Sequence, residues 1–191
     1  MSDTLRGIFI ATLLIISFSN TAMGQPKKGE FIQASIGLGM SGSYEDYNII
    51  GSGFYVQAEY VMALSRWFGV RPYAGFISTS PSSTNTDPYL SEYAVTSKAF
   101  LLGGKARIAA PIPYVAPYLE LGIGTSIGNF VTHTPSNFKE KKGIIVHIPF
   151  TMGLALGADN GVEIAFTYYF HPTVDQFSGA AALGLSFPIN K

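Results

Sequence analysis

Residues 31–40 read Phe-Ile-Gln-Ala-Ser-Ile-Gly-Leu-Gly-Met, and every second position from Ile32 to Met40 (Ile32, Ala34, Ile36, Leu38, Met40) is apolar. The alternate positions, Gln33, Ser35, Gly37 and Gly39, are polar or small. A two-residue period puts these sets on opposite faces of one β-strand. The same pattern returns at 53–64, 67–78, 97–109, 114–127, 144–157, 161–171 and 177–189, so the first segment, 30–41, is one of eight. Most of these segments run ten residues or longer. Strands of ordinary sheets average about five or six residues, whereas a tilted strand needs roughly nine to eleven to cross a bilayer.

The connections alternate as well. Ser65-Arg66, Ala110-Pro111-Ile112-Pro113 and Ala158-Asp159-Asn160 are tight turns built largely from turn-forming residues. Gly42 to Ser52, Thr79 to Thr96 and Ile127 to Gly143 are long, polar and unpatterned, and Pro172 to Gln176 is the one short connection on that side. Short turns on one rim and long loops on the other belong to an up-and-down transmembrane barrel. Strands in lipid tolerate no unpaired edge, so eight of them must close. The predicted fold class is therefore all-β, a single eight-stranded antiparallel up-and-down transmembrane β-barrel.

The N-terminus supports export. Gly7 to Phe18 is apolar or small apart from Thr12 and Ser17, follows Arg6, and ends in the small residues of Ser19 to Gly24. This reads as a secretory signal peptide over 1–24, leaving 25–191 as one barrel domain in the outer membrane of a Gram-negative-type cell, both termini on the periplasmic side. A retained helical anchor is the alternative, for which the stretch is short. The 191-residue chain carries 12 basic and 12 acidic residues, and the leader removes one of each, so nothing draws it to nucleic acid. With no cysteine, disulfides, thiolate metal sites and a lipid-modified N-terminal cysteine are excluded.

A soluble lipocalin-type barrel would turn the apolar face inward around a ligand and show water the other face. That face carries only Glu59, Arg71, Lys105, Arg107, Glu120 and Glu163 as charges within the segments, diluted by Gly37, Gly39, Gly69, Gly75, Gly103, Gly122, Gly124, Gly153 and Gly184. It is a thin cover for water but suits a narrow lumen in which glycines make room for long side chains. Hairpin arithmetic sets Glu59 beside Arg71, Lys105 a diagonal step from Glu120, and Arg107 near Tyr118. The six charges are read as an ion-pair network plugging the lumen, with a narrow ion path as the alternative. Outward aromatics fall toward both rims, among them Phe54, Phe100 and Phe170 on one side and Tyr60, Phe68 and Phe187 on the other, as in interfacial girdles.

Chemistry is sparse. His147 and His171 share inward parity, with His133 in the loop above, but no acid stands at fixed spacing for a metal site. No G-x-S-x-G motif occurs, and Pro149 stands two residues from His147 where a lipid-modifying enzyme would want a serine. No catalytic residue, metal or cofactor is assigned, and the chain is read as non-enzymatic. Lys139, Lys141 and Lys142, in Lys139-Glu140-Lys141-Lys142, are candidate contacts for lipopolysaccharide phosphates, against the plainer reading of a solvated loop. The Ser/Thr/Asn/Pro-rich loop Ser78 to Ser97 is where adhesion or receptor binding would have to reside; its residues name no external ligand.

Signal peptide, eight amphipathic strands from Glu30 to Ile189, three long loops, tight alternate turns and a charged lumen resemble the small outer-membrane barrels of the OmpA transmembrane-domain and OmpX kind. The resemblance covers the whole mature chain and implies periplasmic chaperoning and insertion by the barrel-assembly machinery. Those barrels often end in a strand closing on an aromatic; Ala182 to Phe187 is similar, although Pro188-Ile189-Asn190-Lys191 follows. The expected role is structural or surface-interacting, with a porin-like narrow channel or a lipid-modifying enzyme as alternatives.

Overall fold

In a computed structural model, residues 28–44, 49–81, 93–135 and 138–189 are described, and the leader 1–24 lies outside them. The described residues form eight strands: β1 (Gly29–Ser43), β2 (Ile50–Ala63), β3 (Phe68–Pro81), β4 (Ala94–Ala109), β5 (Val115–His133), β6 (Phe138–Leu156), β7 (Val162–His171) and β8 (Gln176–Pro188). Each pairs antiparallel with its chain neighbour, and β8 pairs with β1 to close the barrel. Every strand edge in the wall is thereby paired, the condition hydrocarbon imposes on backbone polar groups.

The period-two faces sort as the residues dictate. Ile36, Leu38, Ile123, Leu121, Ile164 and Leu183 stand exposed outward, while their neighbours in sequence point into the lumen. A surface this apolar is out of place in water and fits lipid.

The tight turns lie where the sequence puts them. Ser65 Oγ accepts hydrogen bonds from the backbone N–H of Trp67 and Phe68 and so closes β2–β3. The β4–β5 and β6–β7 turns each use a left-handed residue, Tyr114 (φ 64) and Asn160 (φ 51). Asn160 is a residue type that tolerates this conformation, and its side-chain amide donates to the Ala155 carbonyl.

The long-loop rim differs from expectation. Ile127 to Gly143 is mostly not a loop: β5 and β6 are 19 residues each and remain paired from Ile127↔Ile144 out to His133↔Phe138. β4 likewise starts at Ala94 and pairs Ala94↔His133. Beyond the hydrocarbon both faces of a strand can be polar, so the alternation that marks a strand in sequence fades while its backbone ladder continues.

Candidate functional site

The six lumen charges lie on five strands and meet in one cluster toward the short-turn end. Arg71 reaches Glu59 at 2.9 Å and Glu163 at 3.0 Å, with Glu120 at 3.6 Å. Lys105 sits 2.6 Å from both Glu59 and Glu120. Arg107 contacts Glu120 at 2.6 Å and Glu163 at 2.7 Å. Every acid thus touches at least two bases and every base at least two acids, all six nearly inaccessible to solvent. Register explains the pairing: Arg107 is the direct partner of Glu120, Lys105 lies diagonal to Glu120, and Arg71 lies diagonal to Glu59, whose direct partner is Tyr73. Arg71 and Lys105 oppose each other directly, a repulsive pairing held by the carboxylates of Glu59 and Glu120 between them.

Sequence reasoning missed the neutral groups that complete this network. Gln33 donates to Glu163 and accepts from Arg71, Gln57 donates to Glu59, and Tyr118 donates to Glu163 at 2.7 Å. The Arg107 guanidinium also lies 3.4 Å from the centroid of the Tyr118 ring. Glu163 therefore accepts from Gln33, Arg71, Arg107 and Tyr118, which ties β1, β3, β4 and β5 to β7 through one carboxylate. The inward parity of Gln33, Gln57 and Tyr118 was visible, but which of them would reach a carboxylate across the barrel depends on closure.

Toward the long loops a second layer follows. Tyr169 donates to Gln57 at 2.7 Å and its hydroxyl lies 3.1 Å from that of Tyr55. His147 is hydrogen-bonded through Nε2 to Tyr73 and through Nδ1 to Ser126 Oγ at 2.7 Å; Ser126 Oγ also lies 2.9 Å from His171 Nε2. Glycine admits these large groups: a Cβ on Gly124 would stand 2.4 Å from the Tyr73 hydroxyl and 2.5 Å from His147 Nε2, and one on Gly153 would stand 2.5 Å from the Tyr118 ring. Ser126 is the serine that a search along the chain around His147 does not find, because it arrives on β5 across the strand pair. Ser126, His147 and His171 are each 0% exposed, whereas a nucleophile must meet its substrate. His133 lies apart from them, between the rings of Tyr93 and Phe138.

The outermost layer is mixed. Ile77, Phe130 and Val174 are buried across the mouth beside the buried, hydrogen-bonded Ser41, Thr79 and Gln176, with the β7–β8 turn folded in so that the Val174 carbonyl accepts from Thr132. At the opposite end the lumen opens as a vestibule of about 640 Å³, walled by Val61, Ala109, Ala116 and Ala155 and floored by Arg71, Arg107 and Glu163. Between floor and cap, the void beside Tyr55, Glu59 and Thr167 amounts to about 10 Å³, roughly the room for one water.

The three candidate lysines separate. Lys139 is paired with Asp175. Lys139 and Lys141 face the same way, opposite Thr132 and Phe130, while Lys142 belongs to the other face of the hairpin, opposite Asn129.

No protein-family model matches the chain, and no curated protein matches it. Solved structures do. Neisserial surface protein A aligns over 85% of this chain and 98% of its own with a TM-score of 0.59 at 12% identity. Ail, the attachment invasion locus protein of Yersinia pestis, aligns over 84% of this chain and all (100%) of its own, with a TM-score of 0.47 at 20% identity. The outer membrane protein OprG of Pseudomonas aeruginosa aligns over 86% of this chain and 99% of its own, with a TM-score of 0.48 at 10% identity. Eight strands, a closed up-and-down order, an apolar exterior and short turns at one rim make this the fold of the small eight-stranded outer-membrane β-barrels.

Proposed function

We propose that this protein is a non-enzymatic outer-membrane barrel with a closed lumen, whose role is structural or carried by its exposed rim. The observation that carries this reading is the stack of three side-chain layers across the lumen, ionic, then Tyr/Ser/His, then Ile77, Phe130 and Val174 set among buried Ser, Thr and Gln. At eight strands the interior is about as wide as its side chains, so such a stack leaves no water column. The buried position of Ser126 and His147 argues against the lipid-modifying alternative. Activity then belongs to surfaces outside the lumen, and the segment 82–92, which lies outside the described residues, remains the stretch of the Thr79–Thr96 connection to probe for receptor binding.

A narrow pore is the second reading, favoured by the vestibule that already opens one end of the lumen onto charged groups. Planar-bilayer recording separates the two. The closed barrel gives no reproducible single-channel steps; steady steps whose size changes in Arg71→Ala or Lys105→Ala would establish the pore instead.

A further inference from the structure

On the outward faces of four adjacent strands, one row of direct partners runs Ser78, Lys98, Asn129, Lys142 through β3, β4, β5 and β6. Two residues nearer the middle of the barrel, the parallel row runs Phe76, Phe100, Ile127, Ile144. Residues two apart share a face, so the outer wall passes from four apolar side chains to four hydrogen-bonding ones within about 7 Å of strand. Lys98 and Lys142 are both exposed and flank Asn129. Two inter-strand steps separate them, about 10 Å, a span that two lysine side chains close from either side while their stems lie along the apolar row. Glu140, on the same face as Lys142, stands one row further out, which leaves the cations nearest the apolar boundary.

We propose that Lys98 and Lys142, with Ser78 and Asn129, bind the phosphate of a lipid headgroup in the leaflet on the long-loop side. This rests on the membrane reading given above. The chemistry is a pair of ammonium groups, each able to approach one phosphate, placed directly over side chains that meet acyl chains. An acidic protein would meet the same charge but would have no use for the apolar row beneath it. Lys98 was absent from the lysine run that draws attention in the sequence. It joins Lys142 only through the β4–β5–β6 register, which also sets Lys141 on the other face and leaves Lys139 to Asp175.

The test uses the full mature barrel in phosphatidylcholine vesicles containing diphosphoryl lipid A, or the same lipid with its phosphates removed. Mass spectrometry of the barrel released with bound lipid reads occupancy. Occupancy by the phosphorylated lipid is expected to fall about ten-fold when Lys98→Gln and Lys142→Gln are combined. Lys139→Gln is expected to leave it within about two-fold, the scale of an exposed pair. Raising ionic strength on the wild-type protein should lower occupancy as well, a reading that needs no variant. Equal binding of the two lipids, undiminished binding by the double variant, or an equal loss in Lys139→Gln would overturn the proposal. A wild-type protein that does not float with the vesicles at all would overturn the membrane reading itself.

Discussion

The two halves of the lumen are closed by different chemistry. On the short-turn side, Glu59, Glu120 and Glu163 are interleaved with Arg71, Lys105 and Arg107, beneath a vestibule open to water. On the long-loop side, Tyr55, Tyr73, Tyr169, Ser126 and the two histidines give way to Ile77, Phe130 and Val174, set among neutral Ser41, Thr79, Thr132 and Gln176. Ionic closure is strong only while every charge keeps its partner, since one left unpaired in a narrow lumen bears the full desolvation penalty. Apolar closure fails gradually, in proportion to the volume removed. The first half therefore sets register and rigidity, and the second seals the tube.

The largest expected effect breaks the ionic half. Glu163→Ala leaves three buried cations against two carboxylates, with Arg107 held by Glu120 alone, and should cost about 3 to 5 kcal/mol in the unfolding free energy of the lipid-embedded barrel, measured by urea titration. A loss below about 1 kcal/mol would show that vestibule water substitutes for the carboxylate. On the other side, Phe130→Ala removes the largest buried ring of the cap and should cost about 3 kcal/mol, without the non-additivity of the ionic layer. The sharpest comparison is a double-mutant cycle. Glu59→Ala with Arg71→Ala should cost less than the sum of the singles by about 1 kcal/mol or more, whereas Phe130→Ala with Glu59→Ala, two layers apart, should be additive. Additive behaviour in the first cycle would refute the pairing.

How much of this was legible follows from the range of each interaction. Alternation at Ile32 to Met40 and its recurrences fixed strand identity because it records which face each residue must hide. The Ser65 and Asn160 turns were legible because turn chemistry is local. The outer reaches of β5 and β6 were not, since Asn129 to Thr132 and Lys139 to Lys142 carry no apolar alternation and are strand only through mutual pairing. Hairpin counting located Lys105 a diagonal step from Glu120 and Arg107 near Tyr118, across one turn, but not Gln33 against Glu163 or Ser126 between two histidines, which lie on strands brought together by the register of the closed barrel.

By itself, then, the sequence determined the strands, their number, the face each turns outward and the balance of charge on the inner face, all consequences of side-chain polarity at a two-residue period. Tertiary structure decided what a period cannot carry. Register and closure set Arg71 against Lys105 with acids between them, brought Ser126 to His147, folded Val174 over the mouth, and aligned Lys98 with Lys142 on the outer wall. Those placements depend on how far each strand is shifted against the next, a quantity fixed only when backbone hydrogen bonds close the ring.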